Sequence, residues 1–141
     1  MIAGIIERKQ VEEALRRSEE RFALAVRGLG AGIWDWDIRT GTVYYAPRWK
    51  AMLGLSETES SGHYRERETR IHPDDRARAL EALQEFLEGR TAEFELEHRL
   101  RHKDGTYRWI CSRAALERDR DGRPYRVVGS DQDITERKRP E

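Results

Sequence analysis

The stretch FELEHRLRHKDGTYRWI, residues 94–110, decides the fold. Within a strand over residues 92–102, Phe94, Leu96, His98 and Leu100 alternate with Glu93, Glu95, Glu97 and Arg99. That period of two puts the apolar set on one face. Lys103-Asp104-Gly105-Thr106 is a turn of hairpin length, and residues 107–117 read as the next strand. Asp119 to Pro124 (DRDGRP) turns the chain once more, and residues 125–134 make a further strand. Three consecutive strands on short turns imply an antiparallel sheet with one face toward a core.

Upstream, residues 33–38 (IWDWDI) and 43–46 (VYYA) flank Arg39-Thr40-Gly41-Thr42, a second hairpin. Pro47 opens a short helix over 48–53 that stops at Gly54, residues 56–62 are loop, and 63–70 hold a helical turn. His72-Pro73-Asp74-Asp75 starts a helix, its acidic residues near the positive end of the dipole. That helix runs to about Glu88, with Leu80, Leu83, Phe86 and Leu87 inward and Gly89 as its stop. Two strands, short helices and three strands give an α+β domain, a five-stranded antiparallel sheet with helices on one face.

The first thirty residues have a different period. Val11, Leu15, Ser18, Phe22, Ala25 and Leu29 follow one another at steps of four and three, a heptad seam on a charged amphipathic helix. The expected organisation is this helix over 1–30, the sheet domain over 31–135, and the start of a linker over 136–141. The seam points to a homodimer through a coiled coil, with the alternative of a helix lying on its own domain.

Composition limits the function. The 141 residues carry 27 Lys+Arg against 27 Asp+Glu, so no net charge calls for nucleic acid or an anionic membrane. Charged residues reach 38%, yet four Trp, five Tyr and three Phe are too many large apolar groups for a disordered chain. The single cysteine, Cys111, excludes an internal disulfide and a cysteine-rich zinc site, and suits a cytoplasmic location. No stretch approaches 18 uninterrupted apolar residues, and Met1 to Ile6 is too short for a signal peptide. Neither a nucleophile elbow, nor a phosphate loop, nor a metalloprotease motif occurs, so no catalysis is expected of this chain.

Four segments carry a family likeness: GIWDWDIRTGTVYYAPRWKAMLGL (32–55), IHPDDR (71–76), the 94–110 pair, and GRPYRVVGSDQDITERK (122–138). In this order and spacing they resemble the PAS sensory domains of bacterial signalling proteins, over roughly residues 15–138. The resemblance implies strand order 2-1-5-4-3 and a cup between sheet and helices that often holds a small ligand. It also implies that Asp133-Ile134-Thr135 marks the signal relay to an effector, such as a histidine kinase or diguanylate cyclase. The segment is then expected to be a sensor module of a longer protein.

Parity and resemblance together select the cup. Trp34, Trp36, Phe94, Leu96, His98 and Leu100 share the inner face by parity, while the resemblance favours Ile110, Ser112, Val127, Gly129 and Asp131 inward and Trp109 outward. Two uses of the polar trio stay open: a collapsed core in which His98 bonds Asp131 or Ser112, or a site orienting a small ligand. No cofactor is expected. Flavin-binding light-oxygen-voltage relatives need an Asn-Cys-Arg-Phe-type run before the third strand, and Cys111 lies on the fourth. Haem-binding relatives use a histidine on the long helix, and residues 74–88 contain none. No metal is expected either: His98 and His102 on one strand stand about 13 Å apart, too far for one ion. Trp109 joins Val11, Leu15, Phe22 and Leu29 as a dimer candidate. At the relay, Asp133 or Thr135 would cap the following helix, Ile134 would anchor it, and Asp133 has Arg99 as a possible partner.

Overall fold

The computed structural model describes residues 2–138, with side chains from Gly4 onward. Met1 and positions 139–141, the last part of the expected linker, lie outside the described residues. The chain divides into two units, one ending at Gly30 and the other starting at Ala31.

The first unit is α1, Ile2–Leu29. Its 28 residues make a rod of roughly 42 Å. Glu13, Arg16 and Glu20 form an ion-pair ladder at three- and four-residue spacing. Val11, Leu15, Phe22 and Leu29, the seam residues, are all exposed.

The second unit runs β1 (Gly32–Asp37), β2 (Thr42–Tyr45), α2 (Pro47–Met52), α3 (Tyr64–Arg70), α4 (Pro73–Leu87), β3 (Phe94–Arg101), β4 (Tyr107–Arg118), β5 (Pro124–Asp133) and α5 (Thr135–Lys138). The sheet is antiparallel throughout, in the order β2-β1-β5-β4-β3. The central strand β5 pairs Trp34 with Gly129 on one side and Ser112 with Asp131 on the other. A single apolar core fills the space between the inner sheet face and α2 to α4; it includes Trp34, Trp49, Leu53, Phe86, Phe94, Leu100 and Val127. Each such side chain contributes about 2 kcal/mol by leaving water.

Parity reads the strands well. Phe94, Leu96, His98 and Leu100 are buried while Glu95 and Arg101 are exposed, and Ile110, Ser112, Val127, Gly129 and Asp131 face the same core. The long helix keeps Leu83, Phe86 and Leu87 against the core as expected, and Leu80 lines the cavity while remaining part-exposed. Its inward stripe is Asp75, Ala79 and Phe86, with Leu83 and Leu87 half-buried, and Leu80 is 45% exposed. Steps of four from Asp75 set the buried face, and Leu80 stands one residue round from Ala79. Asp75 is buried because it meets Arg99, not because it serves the helix dipole.

Two glycines let the layers approach. A Cβ at Gly32 would lie 2.7 Å from the Trp49 Cα, and one at Gly129 would lie 2.2 Å from Trp34 Cζ2. The missing side chains admit α2 and the Trp34 indole against the sheet, and both indoles then reach the same carboxylate.

Candidate functional site

Asp131 on β5 is wholly buried at the base of the cup. Its Oδ1 accepts from Trp34 Nε1 at 2.9 Å and from the Ser112 hydroxyl at 2.6 Å. Its Oδ2 accepts from Trp49 Nε1 at 2.9 Å. Three neutral donors thus satisfy a carboxylate in a place where an unpaired charge would be very costly. Trp49 is fixed by the Pro47 start of α2 and by stacking on Tyr45, with ring centroids 4.0 Å apart.

Arg67 descends from α3 onto this base. Its Nη2 donates to Ser112 Oγ at 2.8 Å and meets His98 Nε2 at 3.0 Å, and its Nε stands 3.6 Å from Asp131 Oδ2. The guanidinium carbon lies 5.6 Å from the Trp34 ring centroid, a cation–π distance. Since arginine only donates, His98 Nε2 must accept, which leaves the proton on Nδ1. Burial, reinforced by the Arg67 charge, holds the His98 pKa down at about 4. His98 is therefore a neutral acceptor near neutral pH. The direct bond from His98 to Asp131 or Ser112, one of the two arrangements left open, is absent because Arg67 Nη2 bridges His98 and Ser112.

Above this base lies a cavity of about 80 Å³. Of the ten residues expected in the cup, Trp34, Trp36, Phe94, Leu96 and Val127 line it. His98, Leu100, Ile110, Ser112 and Asp131 do not; they form the sealed floor. Tyr64, Arg67 and Glu68 of α3 complete the wall with Ala79 and Leu83 of α4. Arg67 and Trp49 are the site residues that sequence reasoning missed. Arg67 sits in YRERETR, where nothing in the alternating charge separates it from Arg65 or Arg70. Trp49 had a signal: it is the one aromatic residue of a six-residue helix and had to be buried somewhere.

Cys111 lies on the other face of β4, beside Glu95 Oε1 at 3.8 Å, and burial raises its thiol pKa. It is therefore turned away from the cup, where a flavin-reactive thiol would have to be. His63, His72 and His102 are turn residues, each accepting from the backbone N–H two positions on, at 3.2, 3.0 and 3.0 Å. None of these four side chains lines the cup. Among the described residues no cluster of His, Cys, Asp and Glu is placed to hold a metal ion.

The residues expected to relay the signal form a second constellation. Asp133 Oδ1 accepts from the Thr135 N–H at 2.9 Å and from its hydroxyl at 2.5 Å. The same hydroxyl accepts from the Trp109 N–H at 3.0 Å, and the Ile134 N–H donates to the Trp109 carbonyl at 2.8 Å. Ile134 is buried, as an anchor must be. Trp109 is on the outer face, between the Arg99 guanidinium at 5.0 Å and Lys138 Nζ at 5.1 Å. Arg137 and Lys138 reach Glu97 at 2.7 and 2.6 Å. Arg99 itself pairs with Asp75, not with Asp133. Strand β3 is an edge, α4 lies along it, and Asp75 meets its free backbone donor.

With this architecture in place, the comparison with known proteins is direct. The family described as the PAS fold matches residues 42–130. The chain belongs to the PAS family. A crystal structure of a sensory box histidine kinase/response regulator from Burkholderia thailandensis superposes on this PAS domain with a TM-score of 0.75. It is 44% identical over 84% of this chain and 87% of that one. The N-terminal domain of a diguanylate cyclase with a PAS/PAC sensor from Marinobacter aquaeolei gives a TM-score of 0.69 at 26% identity, over 77% of this chain and 99% of that one. The sensor protein FixL of Bradyrhizobium diazoefficiens is 30% identical over 86% of this chain. The PAS chain spans about a quarter of FixL's length, 24%. These relatives carry the names of a sensor protein, a sensory box histidine kinase/response regulator and a diguanylate cyclase with a PAS/PAC sensor. No helix among the described residues is long and apolar enough to cross a membrane.

Proposed function

We propose that this PAS domain senses a small molecule in its cup and passes the result through its flanking helices to an effector in the parent chain. The observation that carries this is the cavity of about 80 Å³ directly under α3. None of the residues of α3 is buried. It is held over the cup by Arg67 on the floor, by Tyr64 against Trp36 (5.5 Å between rings) and by an Arg70 bond to the Arg101 carbonyl. A helix held by a few contacts can respond to what lies beneath it. Asp133-Ile134-Thr135 is the output joint, and α1 supplies the dimer contact through Val11, Leu15, Phe22 and Leu29. Trp109 is less suited to that contact, because two cations of its own chain already cover its ring. The module works without chromophore or metal, in the cytoplasm, and contacts neither nucleic acid nor membrane.

The deciding experiment fills the cavity. Ala79 is buried and lines it, so Ala79→Leu should occupy the space at a cost of about 1–3 kcal/mol. In the full-length parent, effector output should lose its response to the cell extract or medium that triggers it, while the domain stays folded by circular dichroism. An unchanged response would favour a ligand-free dimerisation and relay scaffold. The polar floor, in which Asp131 and Ser112 are bonded within the protein, is compatible with that second reading.

A further inference from the structure

On its sheet side, the cavity under α3 is walled by groups whose hydrogen-bonding atoms are already taken or closed off. Trp34 lines it, and the only polar atom of that side chain, Nε1, donates to Asp131. Tyr45 lines it, and its hydroxyl donates to the His63 carbonyl at 3.4 Å. The Arg67 charge is balanced by Asp131, whose Oδ2 stands 3.6 Å from Nε, while Nη2 serves Ser112 and His98. Among the described residues, Trp36 Nε1 and Arg67 Nε are donors of this wall without a hydrogen bond, and both are buried beyond the reach of a water-sized body. The groups with capacity left, the Tyr64 hydroxyl, Arg67 Nη1 and the Glu68 carboxylate, all belong to α3, of which no residue is buried. The rest of the lining is hydrocarbon, chiefly Val43, Ala79, Leu83, Phe94, Leu96 and Val127.

From this we infer that the cup takes a neutral, apolar molecule of about three or four carbons, held by hydrocarbon contact and by no hydrogen bond. The inference rests on the ligand-sensing reading above and adds the ligand's chemistry. Size follows from volume. A water takes about 30 Å³ of its liquid and a cavity of about 150 Å³ takes up benzene, so about 80 Å³ suits a body between the two. Close-packed interiors have few spaces larger than a water, and water inside a protein needs about two to four polar partners that this wall does not supply. An apolar guest needs none and gains by leaving bulk solvent. A polar guest of the same size gives up its hydration with nothing to replace it, and that difference is the selection.

The test uses four Y-shaped molecules of nearly equal size that differ in polarity: isobutene, acetone, acetate and guanidinium. Each is titrated into the whole chain at constant ionic strength, isobutene in sealed tubes, and occupancy is read from the methyl resonances of Ala79, Leu83 and Leu96. Isobutene should bind at least about tenfold more tightly than acetone, whose carbonyl would go unbonded. Acetate and guanidinium should leave the methyls unmoved; guanidinium is the demanding control, because Glu68 attracts it. Ala79→Leu fills the space and should abolish the isobutene response. If that variant does not fold, Ala114→Val narrows the same space and should weaken isobutene about tenfold. Equal binding of isobutene and acetone, or a methyl response to acetate or guanidinium, would overturn the apolar assignment and leave a ligand-binding cup of other chemistry. A response to none of the four, or an isobutene response untouched by these substitutions, would also overturn it. The sensing reading is judged separately: isobutene binding with an unchanged effector output in Ala79→Leu would keep the site and remove its role in sensing.

Discussion

Asp75 takes three hydrogen bonds from a single residue, Arg99. The backbone N–H lies 2.8 Å away, Nε 3.0 Å and Nη2 2.9 Å. The backbone bond satisfies an edge-strand donor that would otherwise invite another strand. The side-chain bonds swing the guanidinium round the edge and over Trp109, whose backbone bonds to Ile134 and Thr135. One carboxylate on the cup's long helix is thus linked through Arg99 and Trp109 to Ile134 and Thr135.

Asp75→Ala should cost about 2–3 kcal/mol, because it strands a partly buried guanidinium and an edge N–H together. Thermal unfolding should fall by roughly 10 °C. The Arg99 guanidinium holds the Asp75 carboxyl well below the usual carboxylate range. Its stabilisation is therefore present above the ordinary value near 4 and is lost as pH falls below it. The variant should lack that acid-side loss, which denaturant melts at pH 5 and pH 3 will show.

Gly129→Ala is the sharpest packing test. Its Cβ would enter the Trp34 ring at 2.2 Å, and the indole cannot retreat without leaving Asp131. A loss of about 3 kcal/mol is expected, at the upper end for overpacking. Near-ultraviolet circular dichroism should change with it, since Trp34 changes environment. A variant as stable as wild type would mean that Trp34 does not lie flat on β5.

His98 gives a second pH window. Its folded pKa is lowered from near 6.5 to about 4 by burial and then by Arg67 of α3. Asp131 of β5 and Asp75 of α4 pull the other way without reversing it. A base with a lowered folded pKa stabilises fully above its unfolded value and progressively less as pH falls through the folded one. Stability should thus decline between pH 6.5 and 4, and His98→Gln should flatten that slope. A wild-type imidazole that titrates near 6.5 by NMR would contradict the neutral-acceptor assignment.

The strand faces were legible in the sequence because side-chain period two leaves little choice once Phe94, Leu96 and Leu100 mark the inside. Helix α4 was harder: three leucines outvoted Asp75 and Ala79, and the burial of an acid is decided by its partner across the fold. The polar trio His98, Ser112 and Asp131 was found as a set. Its wiring was not, because Arg67 reaches it from a segment without apolar periodicity. Arg99, one possible partner for Asp133, is taken instead by Asp75 at the free edge of β3.

For α1, Leu15→Glu with Phe22→Glu tests the coiled-coil reading. Two like charges on each strand of a parallel or antiparallel seam would desolvate and repel. Light scattering should report a monomer for the double variant and a dimer for the wild type. An unchanged mass would assign association to another surface.

The junction makes the last prediction. The Thr135 hydroxyl is the hub: it donates to Asp133 and accepts from the Trp109 N–H, while Ile134 holds the Trp109 carbonyl. Thr135→Val keeps the shape and removes both hydroxyl bonds, leaving a half-buried backbone donor on β4 without its acceptor. The expected loss of domain stability is about 1–2 kcal/mol, a cap-sized effect. Output should move further than that loss implies. A free-energy change of 1–3 kcal/mol at the joint between two states shifts their ratio about 5- to 150-fold, whereas the same loss leaves nearly all of a domain folded. In the full-length parent, Thr135→Val should therefore change basal effector activity at least about fivefold while the folded fraction at working temperature stays near one. Thr135→Ser, which restores the hydroxyl, should return activity to the wild-type level. If activity follows only the folded fraction, or serine fails to restore it, the joint is a helix cap and the signal leaves the domain elsewhere.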